Sequence, residues 1–180
     1  MSDDETDAHA VDNVLVDWRR ERPDLDVSAV AVVGRLAFVA ETVVGPAGNR
    51  AVERHGIGRG DFDVLATLRR GGAPYTLSPS ALSAELMMSR AGMTKRLDRL
   101  EKAGLLVRAL DADDRRSFRV SLTDEGRRVA DAAFTDLVGA MSALVSGLTD
   151  TERDGLDRGL QALVRASRKP TTGPSGEAGP

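Results

Sequence analysis

The segment that decides the fold is LSPSALSAELMMSRAGMTKRLDRLEKAGLLVR, residues 77–108. Its apolar residues recur every three or four positions in two successive groups, which predicts two short amphipathic helices. The groups are Leu82 with Leu86, then Met93 with Leu97 and Leu100. Two helices joined by a turn of a few residues predict a helix-turn-helix.

Polar residues and a glycine mark the ends of these two helices. Ser78 or Ser80 can cap the first helix, with Pro79 at an early helical position. Ser89 can cap the second helix, which ends at Gly104. The residues that follow Ser89 therefore form the N-terminal end of the second helix.

The segment after the second helix predicts a β-hairpin, because residues 105–110 and 117–122 are strand-like runs on either side of the polar tip DADDRR. A hairpin in this place is a wing. The sequence SLTDEG at residues 121–126 predicts the start of a long helix, and a last helix is expected over about residues 149–167. The predicted fold is mainly α with a small β-hairpin, a winged helix-turn-helix.

Three helices are predicted before this segment. VDNVLVDW at residues 11–18 has the spacing of a short amphipathic helix. Residues 27–56 are rich in Ala and Val, which predicts a long buried helix that can kink at GPAG. GDFDVLATLRRGG at residues 60–72 predicts a helix of about three turns.

Composition narrows the classes of function. The chain has 180 residues, no cysteine and two histidines, so we expect one core, no thiolate site and no metal or cofactor. No phosphate-binding glycine motif or nucleophile-base pair is visible, and we expect no enzymatic activity. No stretch approaches the roughly 20 apolar residues of a membrane span, and the start is acidic, so a cytoplasmic protein is expected.

Charge is distributed unevenly along the chain. The formal net charge is -3, but residues 90–119 hold nine basic and five acidic residues, a local charge of +4. A positive patch beside a helix-turn-helix is the electrostatic pattern of a duplex-DNA binder.

Residues 77–108 together with DADDRRSFRVSLTDEG at residues 111–126 resemble the MarR family of bacterial regulators, and the resemblance extends over about residues 27–167. It implies a homodimer formed by the N- and C-terminal helices. We therefore divide the chain into five segments. Residues 1–10 are expected to be a flexible N-terminus, and residues 11–56 N-terminal helices that form the dimer and one wall of a ligand pocket. Residues 57–122 are the DNA-binding winged helix, residues 123–168 C-terminal dimerisation helices, and residues 169–180 a disordered tail.

A recognition helix reads the major groove with its N-terminal residues, while a wing reaches the neighbouring backbone or minor groove. The candidate DNA-binding residues are Ser89, Arg90, Thr94 and Lys95 on the second helix, and Asp114, Arg115 and Arg116 on the wing. Asp114 and Arg116 match the D-x-R signature of the family. Arg90 is suited to a guanine, and Asp114 is expected to orient a neighbouring arginine.

VDWRRERPDLD and GDFDVLATLRRGG are similar to a branch of the family that responds to urate and related anions. The ligand-linked positions of that branch fall on Trp18, Asp63, Arg70 and Arg96. An anion bound by Arg70 would displace Asp63 by repulsion, and Arg96 would transmit the change to the recognition helix.

Bland alternatives exist for these residues. Trp18 can anchor an added helix, Asp63 can pair with Arg69 or Arg70, and Arg96 can contact phosphate only. Urate, tricarboxylates and other small anions all fit such a pocket. A winged helix that responds to no effector, or that binds another protein, is the alternative function.

Overall fold

A computed structural model describes residues 10–111 and 117–167, and the mainly helical winged fold is confirmed. Residues 1–9, 112–116 and 168–180, which include the expected flexible ends, lie outside the described part. The elements are α1 (Ala10–Glu21), α2 (Ser28–Phe38), a π-helical turn (Val39–Val44), α3 (Gly45–Glu53), α4 (Arg59–Arg70), β1 (Thr76–Leu77), α5 (Pro79–Glu85), α6 (Arg90–Lys102), β2 (Leu106–Leu110), β3 (Phe118–Leu122), α7 (Asp124–Val145) and α8 (Asp150–Ser167). The chain divides into two units, residues 1–141 and 142–180.

The wing is part of a three-stranded antiparallel sheet with the order β1-β3-β2. The predicted hairpin is confirmed, with Leu106 opposite Leu122 and Leu110 opposite Phe118. Strand β1 was not predicted, because two residues carry no periodicity that can be recognised. It pairs with β3 and thereby attaches the start of the helix-turn-helix to the wing.

One apolar core holds the winged unit together. Residues of α4, α5, α6, the sheet and α7 contribute to it, and aliphatic side chains dominate. Its largest fully buried members are Leu65, Leu68, Leu82, Met93, Leu97, Leu100 and Leu106. The periodic residues of the helix-turn-helix therefore face inward, and the polar faces of α5 and α6 remain for a partner.

The caps expected in the helix-turn-helix are present. The Ser78 hydroxyl accepts a hydrogen bond from the Ala81 N–H (3.1 Å), and the Ser89 hydroxyl accepts one from the Gly92 N–H (3.2 Å). Gly104 has φ 72, the left-handed conformation of a helix C-terminus. Thr123 caps α7 and donates to the Gly104 carbonyl at 2.7 Å, which joins the end of α6 to the start of α7.

The long N-terminal helix is present as α2, the π-helical turn and α3. The expectation that it is buried holds for α3, at Gly48, Ala51 and Val52, and fails for most of α2 and the π-helical turn in the single chain. Most valines of this helical stretch are exposed in the single chain, where α1 packs on its first half through Leu15 against Val27 and Ala31. The π-helical turn directly precedes Gly45 and Pro46. A wider turn accommodates the proline ring, which cannot donate a backbone hydrogen bond.

The helical stretch Ser28–Glu53 is also long and apolar enough, by length and composition, to cross a membrane. The expectation that no stretch approaches such a length is therefore wrong. An exposed apolar helix of this kind equally suits a surface that packs against protein.

In the second unit, α8 begins with a capping box. The Thr149 N–H donates to Glu152 at 2.8 Å, and the Glu152 N–H donates to the Thr149 hydroxyl at 3.3 Å. Leu156, Leu160 and Leu163 form an apolar stripe that is exposed in the single chain. A stripe of this length is expected to find a protein partner.

Candidate nucleic-acid interface

The N-terminal end of α6 presents the four side chains predicted to contact DNA. Ser89, Arg90, Thr94 and Lys95 are all exposed. Within residues 10–111 and 117–167, no ion pair or side-chain hydrogen bond engages the charged groups of Arg90 and Lys95. Both cations are thus available to an anionic partner.

The hydroxyl groups at this end are already partly used. Ser89 accepts the capping bond from Gly92 and keeps its own hydrogen free, so it can donate to a phosphate oxygen. Thr94 donates to the Arg90 carbonyl at 3.0 Å. Its remaining lone pairs make Thr94 an acceptor for a base amino group, whereas donation to a phosphate oxygen requires the hydroxyl to rotate away from the Arg90 carbonyl.

A cavity of about 350 Å³ opens between the start of α5, the start of α6 and the beginning of β3, next to the tip of the wing. It is lined by hydroxyl groups, one arginine and apolar side chains, among them Ser80, Arg90, Thr94 and Phe118. The hydroxyls of Ser78 and Ser80 hydrogen-bond to each other at 2.9 Å. None of the four predicted ligand residues lines this cavity.

The opposite side of α6 is held by α4. The Asp61 carboxylate accepts hydrogen bonds from Nε (2.7 Å) and Nη2 (2.5 Å) of Arg99. Only 8% of the Asp61 side chain is exposed, against 60% for Arg99. These bonds raise the pKa of the Arg99 guanidinium above its ordinary value, and the nearby negative charge adds to the effect.

Arg96, one turn earlier on α6, lies against Gly60 in the first turn of α4. A β-carbon at Gly60 would collide with the guanidinium of Arg96. No hydrogen bond or ion pair joins Arg96 to another of the described residues. Arg96 is therefore a half-buried cation without a counter-charge in the described part of the chain.

The root of the wing is fastened to α6 by Arg108 on β2. Its side chain donates to Glu101 at 2.9 Å and approaches Asp98 at 2.8 Å. The hydrogen bond from Arg108 lowers the pKa of Glu101 and raises that of Arg108 itself. Nearer the tip, Arg119 pairs with Asp111 at 2.6 Å, and the predicted contacts Asp114, Arg115 and Arg116 lie beyond the described residues.

The structure brings together only part of the predicted ligand site. Asp63 pairs with Arg59 (3.2 Å) and Arg70 pairs with Glu85 (2.5 Å), so the shared network of Asp63 and Arg70 is not found. The reason is reach: one turn separates Asp63 from Arg59, and two turns, about 10 Å, separate it from Arg70. Arg96 does lie beside the turn that carries Asp63.

Trp18, the fourth residue of the predicted ligand site, lies on α1 with 52% of its surface exposed. Helix α1 is attached to α2 by the ion pair of Asp12 with Arg35. Among the described residues, Trp18 is not part of an apolar core, and its exposed ring is available to a pocket wall or a subunit contact.

Sequence reasoning missed the pair of Asp61 with Arg99 and the ties of Arg108. In the sequence, Asp61 is an acidic residue in the first turn of a helix, where such residues are common because they interact favourably with the helix dipole. Its position therefore gave no sign of a further contact. Its 38-residue separation from Arg99 hides the contact from any local pattern. Among the described residues, no group of three His, Asp or Glu side chains could hold a metal ion.

Comparison with known proteins agrees with this geometry. The sequence profile of the MarR family matches residues 55–117. The chain is 38% identical over 146 residues to the HTH-type transcriptional regulator PecS of Dickeya dadantii (strain 3937), covering 81% of this chain and 87% of PecS. It is 31% identical over 116 residues to the transcriptional repressor MprA of Escherichia coli (strain K12), covering 64% and 65% of the two chains.

Among solved structures, CouR from Rhodococcus jostii RHA1 bound to p-coumaroyl-CoA superposes with a TM-score of 0.58 at 26% identity, covering 76% of this chain and 91% of CouR. PecS and MprA are regulators of transcription and not enzymes, in agreement with the function expected from the sequence. The chain belongs to the MarR family of DNA-binding transcriptional regulators.

Proposed function

We propose that this regulator binds a pseudo-palindromic operator as a homodimer, acts as a repressor in the cytoplasm, and leaves the DNA when a small anionic metabolite binds. The observation that carries the proposal is the exposed, cationic N-terminal end of α6 on a rigidly packed winged helix. Such an end fits a major groove, where arginine reads guanine and hydroxyl groups meet phosphates.

The dimer is supported by apolar surface that the single chain leaves uncovered. On α2 and the following turn, large apolar side chains are exposed over more than three helical turns, and α7 and α8 add further ones. They are Val30, Val32, Val33, Leu36, Val39, Val43, Phe134, Val138, Leu144, Leu156, Leu160 and Leu163. A second copy supplies an equally apolar surface by symmetry.

The anionic effector is supported by Arg96. This cation has no counter-charge among the described residues, and one turn of α4 separates the Gly60 seat from Asp63. An anion such as urate or a tricarboxylate would pair with Arg96, repel Asp63 and disturb the Arg59 pair. In this scheme Arg70 and Trp18 contribute to the pocket only after a movement, because Arg70 is engaged by Glu85.

Binding-site selection from a pool of random duplexes tests the DNA proposal with the full chain. The expected result is an inverted repeat with half-sites about 10 base pairs apart, centre to centre, bound by a dimer. Sedimentation of the free protein measures the oligomeric state. A monomer, or selection without an enriched sequence, would contradict the proposal.

Titration of the operator complex with urate, xanthine, citrate and trans-aconitate tests the effector. We expect at least one of these anions to release the DNA, and Arg96→Ala to abolish the release. Lys102→Ala, which removes an exposed cation at the far end of α6, is the matched control and should respond like wild type. Release by none of the anions would favour an effector-blind regulator.

A further inference from the structure

The first turn of α4 holds the recognition helix α6 through two residues of α6, Arg96 and Arg99, which are three positions apart. Gly60 seats the guanidinium of Arg96, and Asp61 pairs with Arg99 through both carboxylate oxygens. Positions three apart on a helix lie on the same face. The two contacts therefore oppose both rotation and sliding of α6 against α4.

Asp61 has one strongly preferred partner. Its carboxylate is buried, and a buried charge is stable only when its hydrogen bonds are satisfied. Both oxygens are engaged by one planar guanidinium, a fork-to-fork arrangement that has little angular freedom. Arg99 lies about 13 Å along the helix axis from Arg90, so Asp61 is far from the end of α6 that meets bases.

The same turn also touches the N-terminal helices. Arg59 packs over Gly48 of α3, where a β-carbon would lie 2.8 Å from the Nη1 atom of Arg59. The Arg59 side chain is held by Asp63 at 3.2 Å. Three consecutive residues, 59–61, thus contact α3 on one side and α6 on the other.

We propose that Asp61 is a positioning residue for base reading, which sets through Arg99 the angle at which α6 enters the groove. Together with its neighbours Arg59 and Gly60 it makes the first turn of α4 the joint between the N-terminal helices and the recognition helix. This inference rests on the proposed operator binding. It goes beyond that function because the proposed function assigns Asp61 no contact with DNA or with the effector.

The test compares affinity for the selected operator with affinity for random duplex. Asp61→Asn keeps the shape of the side chain and removes its charge. A misaligned helix loses base contacts and keeps phosphate contacts, so operator affinity should fall about tenfold while random-duplex affinity and the salt dependence stay unchanged. Asp61→Glu, which restores the charge, should recover most of the preference.

The matched control is Asp131→Asn, which breaks another ion pair of α4, that of Arg69 with Asp131 on α7 (2.7 Å). Its operator preference should equal that of wild type. Circular dichroism and thermal unfolding establish that every variant is folded at the assay temperature. The inference is overturned if Asp61→Asn and Asp131→Asn change the preference equally, or if Asp61→Asn weakens both duplexes by one factor.

Wild-type protein separates this inference from the proposed function. A wild type without any operator preference overturns the operator proposal and the inference with it. A wild type with a strong preference that Asp61→Asn retains overturns only the positioning role.

Discussion

The guanidinium of Arg96 occupies the space that a β-carbon would take at Gly60. This contact joins the two helices that must communicate if an anion is to loosen the grip on DNA. The group that a β-carbon would meet is the far end of a flexible side chain, which can move aside at little cost in stability. A substitution at Gly60 can therefore change the response to an effector and leave the protein folded.

Gly60→Ala should therefore displace Arg96 without unfolding the protein. Alanine favours a helix over glycine by about 1 kcal/mol, which offsets the cost of moving the arginine. We expect the free energy of unfolding in urea to change by less than about 1 kcal/mol, while release of the operator by the effector is lost. Gly58→Ala, which meets only open space, should leave release intact.

Met87 should be a site where a substitution stabilises the protein. It lies in the turn between α5 and α6 with φ 50 and 94% of its surface exposed. A β-carbon in this conformation costs about 1–2 kcal/mol, so Met87→Gly should raise the melting temperature. Met88→Gly removes a side chain packed against the core and should lower it.

The wing tip should contribute to DNA binding mainly through charge. Replacing Arg116 by Ala should weaken operator binding and reduce the slope of log affinity against log salt concentration by about one per protomer. Fluorescence anisotropy over a salt series measures both effects. An unchanged slope would argue against a phosphate or minor-groove contact of Arg116.

Acid should release the tie between α6 and the wing. Arg108 holds the pKa of Glu101 below its ordinary value of 4.5, so the pair stabilises the fold above that pH and is lost as pH falls through the lowered pKa. The difference in unfolding free energy between wild type and Glu101→Gln should thus be largest near neutral pH and shrink in acid.

Urea unfolding at a series of pH values measures this difference. Glu53→Gln, at an exposed position on α3, serves as the control and should show no such trend. A gap between wild type and Glu101→Gln that stays constant into acid would refute the role of Glu101.

Local chemistry made much of this fold predictable. The cap of Ser89 on Gly92 and the stop at Gly104 depend on residues a few positions apart, so their pattern is visible in the sequence. The contacts that align the parts are not local. Gly126 lies so close to the Leu105 carbonyl that no β-carbon fits between them, yet nothing in the sequence around Gly126 announces Leu105.

The candidate site was predictable to the same degree. Exposure of Arg90 and Lys95 follows from the helical period, whereas the partners of Asp63 and Arg70 follow from side-chain reach and neighbouring helices. The burial of α2 was predicted wrongly for a related reason. A helix apolar on most sides indicates that something covers it, and the period of the sequence does not say whether this is the same chain or another.

The uncovered aliphatic surface of α2 has a consequence for how much of the regulator a cell must hold. If two copies are needed to shield these valines, the folded population rises with protein concentration, as in any obligate pair. At low protein concentration, newly made chains would then be mostly unpaired. Such chains would bind their DNA site weakly and would be degraded readily by proteases. Control of the target would set in steeply, once the concentration of the chain exceeds the dissociation constant of the dimer.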